Sequence, residues 1–121
     1  MINRRIVHEA LMRSQIPGER AENQDSLISL LIHDVFGGEI LKTHHKYGWH
    51  FYNRIDGKRI DFARSKMARL VEDNKFEDIP ATPDETYTYF DHSEYSTFLM
   101  RFIWAFEDAI GLEKTQPGFS S

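Results

Sequence analysis

Residues 49–62 read WHFYNRIDGKRIDF, two runs of strand length on either side of the dipeptide Asp56-Gly57. Asp-Gly tolerates the positive φ that both central positions of a type I′ turn require, and it is the strongest short-range signal for a β-hairpin. A two-residue turn fixes the register of the strands that it joins. The segment therefore predicts an antiparallel hairpin of strands 49–55 and 58–62.

The predicted hairpin has a polar cluster on one face. With a two-residue turn, Tyr52 lies opposite Asp61, and side chains alternate between the two faces of each strand. One face then holds His50, Tyr52, Arg59 and Asp61, while Asn53 lies on the other. Because His50 and Asp61 are diagonal neighbours, an imidazole and a carboxylate are predicted to lie within reach of each other.

A strongly apolar helix is predicted before the hairpin. Asp25 or Ser26 is placed to cap it by accepting a hydrogen bond from a first-turn amide. Apolar residues surround the helix on nearly all sides: Leu27, Ile28, Leu30, Leu31, Ile32, Val35 and Phe36. Gly37-Gly38 provides the C-terminal stop, and a short strand at 39–43 follows. We expect helix 25–36 to be the buried centre of the fold.

The remaining segments complete an α+β prediction. Apolar residues at helical spacing predict amphipathic helices over 3–14 and from Asp91 or Ser93 to the Gly111 stop, and both helices would cover the core. Weaker patterns predict a polar connection at 42–48, a short helix at 64–71, an irregular loop at 76–85 and an extended segment at 86–90. We expect a single domain over 1–121, with 113–121 as a frayed tail and helix 25–36 packed on a small antiparallel sheet.

The chain of 121 residues contains no cysteine. This absence excludes a disulfide scaffold, a cysteine-ligated zinc or iron–sulfur site and a thiol-dependent catalyst. The histidines suggest a metal site at His44, His45, His50 and Asp61, but adjacent histidines in a strand point in opposite directions and no helical His-x-x-x-His occurs. There is also no Gly-rich phosphate loop, so neither a metal nor a cofactor is expected.

The net charge of -4 argues against a nucleic-acid binder. Basic residues dominate 42–69, and acidic residues dominate 72–94. The two segments could attract each other within the fold, pair head to tail in a homo-oligomer, or present a basic face to an acidic ligand. No apolar run has the length of a signal peptide or of a membrane span, so we expect a cytoplasmic protein with no membrane partner.

Two stretches together resemble a known family, and they cover about residues 22–64. The first runs from Asn23-Gln24-Asp25-Ser26 to His33-Asp34-Val35-Phe36-Gly37-Gly38-Glu39-Ile40-Leu41, and the second comprises His50-Phe51-Tyr52-Asn53-Arg54, Asp56-Gly57 and Asp61-Phe62. They are similar to the YunG-like family of small uncharacterised bacterial proteins. That family's pattern has Gly-Gln-Cys before an apolar helix, then Gly-Gly-Glu-Ile, His-Tyr-Trp-Asn and Asp-Gly.

The resemblance implies a papain-like, NlpC-type core, because a Cys at a helix start followed by a strand His is the order found in papain-like cysteine hydrolases. A helix N-terminus lowers the pKa of a thiol, a His pairs with the thiolate, and a further polar group orients the imidazole. The resemblance assigns the His to His50, the orienting group to Asp61 or Asn53, and an oxyanion-side amide to Gln24. The nucleophile position falls on Asp25.

Three interpretations of Asp25 remain open. It caps the helix, it forms a polar pocket with His50 that binds a ligand without turnover, or it acts chemically together with Ser26. Because the nucleophilic thiol is absent, the sequence favours a non-catalytic protein that binds a small molecule or a protein through Gln24, Asp25, His50 and Asp61.

Two other functions stay as alternatives. The first is a hydrolase that uses His50 and Asp61 with an unusual nucleophile. The second is an interaction module that uses the basic 42–69 face or the aromatic last helix, on which Met100 and Trp104 lie beside the main apolar stripe. These two side chains either widen the core face or form an exposed patch, and the core interpretation is favoured.

Overall fold

The computed structural model describes residues 3–14, 24–45, 48–62, 76–88 and 90–114. The structure is α+β, as predicted, and comprises helices and a four-stranded antiparallel sheet. It divides into two compact units, Met1–Glu19 with Ser93–Ser121, and Arg20–His92. The prediction of one domain stays a prediction. The predicted helix at 64–71 and most of the predicted tail lie outside the described residues.

The sheet belongs to the unit Arg20–His92 and has the strand order β3-β2-β1-β4. Its strands are β1 (Glu39–His45), β2 (Gly48–Ile55), β3 (Lys58–Ile60) and β4 (Ile79–Ala81). The predicted turn and register of the hairpin are confirmed, because Ile55 pairs with Lys58 and both Asp56 and Gly57 have positive φ. The second strand was predicted to reach 62 but ends at Ile60. The predicted polar connection at 42–48 is wrong: β1 continues to His45, since Thr43 pairs with His50 on β2.

The predicted loop at 76–85 is also wrong, since it contains β4 and the helix α3 (Pro83–Thr86). Both elements include a proline at a position that tolerates one. Pro80 lies in an edge strand, which has a neighbouring strand on one side only, so the N–H that proline lacks is not needed for a hydrogen bond on the other side. Pro83 opens α3, and Thr82 forms a capping box with Glu85. Thr86 ends α3 and residues 87–88 form a turn, so the extended conformation predicted for 86–90 is wrong in the part that the structure describes.

Helix α2 (Gln24–Phe36) packs against the sheet. Its buried residues are Asp25, Ser26, Ile28, Ser29, Leu30, Leu31 and Ile32. The last turn is less enclosed than predicted, since Asp34 and Val35 are exposed. Asn53 Nδ2 on β2 donates to the Ser29 carbonyl at 3.0 Å, which ties the middle of the helix to the sheet.

Gly38 joins α2 to β1 where the backbone passes close to β2. Its φ is +81°, and a Cβ there would lie 2.5 Å from the Arg54 carbonyl oxygen. Gly38→Ala is therefore expected to lower the free energy of unfolding by more than about 2 kcal/mol, measured by urea denaturation. Gly37→Ala is the matched control, because Gly37 has the same φ but no atom within 4 Å of the added Cβ. Equal losses from the two variants would contradict the close approach.

The unit of Met1–Glu19 and Ser93–Ser121 contains α1 (Arg4–Arg13) and nearly all of α4 (His92–Lys114). Asn3 caps α1, since its Oδ1 accepts from the Ile6 N–H at 3.2 Å. Arg13 forms an ion pair with Asp108 at 2.9 Å, and Arg101 Nε donates to the Ser14 carbonyl. The predicted stop at Gly111 is wrong, because a glycine lowers helix stability by only about 1 kcal/mol relative to alanine and does not end the helix.

The described helices include none that is long and apolar enough to cross a membrane. The buried stripe of α4 comprises Tyr95, Phe98, Phe102, Ala105 and Ala109. The favoured placement of Met100 and Trp104 in the core is wrong, since both side chains are exposed. Ile103 is exposed too.

Candidate functional site

Three elements of one unit bring Asp25, His50 and Asp61 together. Asp25 is the second residue of α2, His50 lies on β2, and Asp61 directly follows β3. His50 Nε2 donates to Asp61 Oδ2 at 2.6 Å. On the other side of the ring, His50 Nδ1 lies 3.3 Å from Asp25 Oδ2. The imidazole is therefore flanked by two carboxylates, and we name this group the Asp–His–Asp cluster.

The cluster is buried at its centre and open at one end. The exposed fraction is 0% for the His50 side chain, 7% for Asp25 and 20% for Asp61. Nδ1 of His50 forms no hydrogen bond within the described part of the chain. The contact with Asp61 is a short charge-assisted hydrogen bond, whereas the contact with Asp25 is a longer ion pair.

Asp25 also connects α2 to β2. Its Oδ2 accepts a hydrogen bond from the Phe51 N–H at 2.8 Å. Helix α2 begins at Gln24, so Asp25 lies inside the first turn and not at the cap. The interpretation of Asp25 as the N-cap is therefore wrong, although an acidic residue in the first turn still gains from the helix dipole.

The surroundings of His50 set its charge. Burial by itself would lower its pKa, but the contacts with Asp25 and Asp61 outweigh burial and raise the pKa to about 9. At neutral pH the ring is then an imidazolium. An imidazolium has no lone pair with which to accept a proton, so His50 is not poised as a general base.

The other predicted site residues, Asn53 and Gln24, are not members of the Asp–His–Asp cluster. Asn53 donates through Nδ2 to the Ser29 and Glu39 carbonyls at 3.0 and 3.4 Å. Its side-chain amide therefore links β2 to α2 and to β1. Of the two candidates for orienting His50, the structure places Asp61 on the ring. Gln24 is the half-buried first residue of α2. The functional roles of all these residues stay predictions.

An aromatic group lies beside His50 that the sequence did not reveal. The Phe76 ring packs edge-on against Tyr52 with centroids 4.9 Å apart, and the Arg59 guanidinium lies 4.4 Å from the Phe76 centroid. Tyr52 donates its hydroxyl to Asp78 Oδ1 at 2.6 Å and accepts from the Asp78 N–H. Burial and the Asp78 carboxylate raise the pKa of Tyr52, so its hydroxyl stays a donor.

No sequence signal pointed to Phe76 or Asp78, because both lie in the segment predicted as a loop. Asp78 has a φ of 55°, a left-handed conformation that Asp tolerates better than most residues. Asp78 is 26 positions from Tyr52 in the sequence, so local pattern could not predict their contact. Contacts between residues this far apart depend on the tertiary structure, and the local spacing of residue types does not predict them.

The described residues contain no group of three or more His, Asp or Glu side chains arranged to hold a metal ion. His44, considered as a ligand, is engaged elsewhere. Its Nδ1 lies 2.9 Å from Glu77 Oε1, and its ring stacks on Trp49 with centroids 3.7 Å apart.

Three basic residues in the described part of the 42–69 face, Lys42, Arg54 and Arg59, are paired with acidic residues. Arg54 binds Glu39 through two nitrogens at 2.6 and 3.2 Å. Two further pairs join the basic and acidic segments: Lys42 with Glu85, and Arg59 with Asp78. Attraction within the fold therefore accounts for part of the charge separation along the chain.

Comparisons with known proteins give one family. A family model described as YunG protein matches residues 10–105. A curated relative from Bacillus subtilis (strain 168), described as an uncharacterized protein YunG, is 33% identical over 72 residues. The match covers 60% of each chain, so this chain spans about 60% of the length of that relative. No solved structure matches.

Proposed function

Because the chain belongs to the YunG family, we propose that it is a non-catalytic member of a papain-like, hydrolase-type group that binds a small molecule or a protein at the Asp–His–Asp cluster. The observation that carries the proposal is the position of the His50 ring, 2.6 Å from Asp61 and 3.3 Å from Asp25. These contacts define a charged site.

The chain order of the cluster supports a papain-like core. A helix start, a strand and the end of the next strand supply Asp25, His50 and Asp61 in turn. A cysteine hydrolase holds a thiolate next to an imidazolium at such a helix start. Here the Asp25 carboxylate supplies the negative charge in place of a thiolate. The ion pair is thereby kept, while the strong nucleophile is absent.

Two features favour binding over turnover. The raised pKa of His50 keeps the ring protonated, and Asp25 Oδ2 is already bound by the Phe51 N–H. A hydrolase that used His50 as a base would need the opposite protonation state at neutral pH. The alternative of a hydrolase with an unusual nucleophile is therefore less well supported.

The accessible end of the cluster indicates the ligand chemistry. Asp61 is the most exposed of the three side chains, and the cluster contains two carboxylates for one imidazolium. A ligand that approaches through Asp61 therefore meets an acceptor with excess negative charge. A group with N–H donors or a positive charge would be the best match.

The proposal predicts the behaviour of a thiol placed at the nucleophile position. In Asp25→Cys, the helix start and His50 should lower the thiol pKa to below about 6.5 from the usual value of about 8.5. Thiolate absorbance in the ultraviolet, followed against pH, measures this pKa directly. The chain has no cysteine of its own, so the signal comes from one site.

Two controls separate the imidazole from the helix. Adding His50→Gln to Asp25→Cys should raise the thiol pKa by about 2 units, because the ion pair is lost. Asn3→Cys places a thiol at the start of α1, where the helix dipole and the neighbouring Arg4 and Arg5 take the place of an imidazole, and its pKa should fall less than that of the position-25 thiol. The proposal fails if the position-25 thiol titrates like the position-3 thiol, or if His50→Gln leaves it unchanged.

A further inference from the structure

Residues 76–78 lie directly before β4 and reach two other strands through their side chains. Glu77 Oε1 accepts a hydrogen bond from the His44 N–H on β1 at 2.9 Å. Asp78 Oδ1 accepts one from the Tyr52 hydroxyl on β2 at 2.6 Å. We name residues 76–78 the strap, because they bridge β1 and β2 without belonging to a strand themselves.

The strap covers the imidazole of the Asp–His–Asp cluster. The Phe76 ring lies edge-on to the His50 ring, with centroids 6.3 Å apart, and it packs in the same way on Tyr52. The Arg59 guanidinium lies 4.4 Å from the Phe76 centroid. Since the His50 side chain is 0% exposed, Phe76 is part of what separates this ring from water.

The strap is attached by contacts that water can replace. The N–H groups of Glu77 and Asp78 donate to side-chain hydroxyls, to that of Thr43 at 3.0 Å and to that of Tyr52 at 2.8 Å. The exposed fraction is 42% for the Glu77 side chain and 35% for the Asp78 side chain. Exposed pairs of this kind add little stability, and segments that depend on them open more easily than a strand ladder does.

Two features of the closed strap oppose closure. Asp78 has a φ of 55°, a left-handed conformation that few residues other than glycine adopt. The strap also encloses His50, a ring that its two carboxylate neighbours hold as a cation. An enclosed charge loses hydration, which it regains when the segment above it opens. Both features favour a measurable open population.

We propose that the strap opens as a unit while the sheet stays intact, and that this opening admits a ligand to the His50 ring. Tyr52 holds the strap closed, because its hydroxyl both donates to the Asp78 carboxylate and accepts from the Asp78 N–H. With the strap closed, a ligand meets the cluster at Asp61, its most exposed side chain. With the strap open, the ligand also reaches the imidazolium. The consequence for binding rests on the proposed function, whereas the opening itself does not.

A single thiol in place of the imidazole measures the opening. His50→Cys, combined with Asp25→Asn and Asp61→Asn, gives an uncharged cluster in a chain with no other cysteine. Iodoacetamide alkylates this thiol, and mass spectrometry follows the reaction. An open population of about 0.1–10% makes alkylation about 10- to 1,000-fold slower than in the urea-unfolded chain. Low urea concentrations should leave the rate unchanged, because the opening of three residues exposes little surface.

Removal of the Tyr52 hydroxyl tests what holds the strap closed. Tyr52→Phe keeps the ring against Phe76 and removes two hydrogen bonds to Asp78. Added to the single-thiol chain, it should speed alkylation about 10-fold. Tyr87→Phe is the matched control, because it removes the same group from a tyrosine outside the strap, and it should leave the rate unchanged.

Amide hydrogen exchange gives a second measurement, on the unsubstituted chain. The N–H groups of Glu77 and Asp78 should be protected to the same extent, since they open together. Both should exchange at least about 10-fold faster than the N–H groups of the β1–β2 ladder. Exchange of all these groups at one rate would mean that the strap opens only when the sheet unfolds, and the proposal would fail.

Three results of the alkylation experiment would also overturn the proposal. A rate equal to that of the unfolded chain would show that position 50 is not covered. A rate that rises with urea as steeply as global unfolding would show that the sheet must unfold first. Equal rates with and without Tyr52→Phe would show that the hydroxyl does not hold the strap. No ligand takes part and the alkylated chain lacks the cluster charges, so failure here is distinguishable from failure of the proposed function.

Discussion

Replacing His50 by leucine is expected to lower the free energy of unfolding by about 3–5 kcal/mol at neutral pH, the usual cost of removing one partner from a buried ion pair. The His50 side chain is fully buried, and both of its carboxylate neighbours are largely enclosed. The substitution leaves the Asp25 and Asp61 charges close together with no cation between them. Urea denaturation measures the loss.

A triple variant tests the cause of this loss. Asp25→Asn and Asp61→Asn, added to His50→Leu, remove both uncompensated charges while keeping side chains of similar size. We expect this neutral variant to recover about 2 kcal/mol or more relative to His50→Leu alone. If it recovers nothing, the loss comes from packing of the imidazole ring and the cluster is not held together by charge.

The stability of the protein should also fall as the pH rises from about 6.5 to about 9. The pKa of His50 is raised from 6.5 to about 9 in the folded chain. A raised pKa means that the folded state binds the proton more tightly. The contribution of His50 to the free energy of unfolding is therefore fully present below the pKa of the unfolded chain, about 6.5. It is lost as the pH rises through the pKa of the folded chain, about 9. A shift of this size corresponds to about 3 kcal/mol.

Urea unfolding across this pH window measures the effect, and the neutral triple variant serves as the reference. Other ionisable groups, including the five other histidines, are common to both proteins. Their contributions cancel in the difference between the two curves. The difference should decline by about 3 kcal/mol between pH 6.5 and pH 9. A difference that does not change with pH would show that His50 titrates normally.

Local sequence signals predicted the hairpin and the contact inside it. Asp56-Gly57 fixed the turn, and strand alternation then placed His50 near Asp61. The apolar run after Asp25 predicted α2 to within one residue of its start. These features depend on interactions between close neighbours in the chain, which residue type and spacing determine.

Tertiary features were harder to predict. Only the family resemblance linked Asp25 to His50, because the two residues lie on different elements. Pro80 and Pro83 suggested a loop, although an edge strand and the first helical position both accept proline. Apolar character favours a core position for Trp104, but it does not reveal which side of a helix packs against another element.

The protonation state of the His50 ring is the most direct test of the Asp–His–Asp cluster. Proton–nitrogen correlation NMR reports whether each ring nitrogen carries a proton, and His50→Gln identifies the His50 signals among those of the six histidines. Both nitrogens of His50 should be protonated at neutral pH, with a pKa of about 9. A neutral ring at pH 7, with a pKa at or below the usual value of about 6.5, would contradict the account.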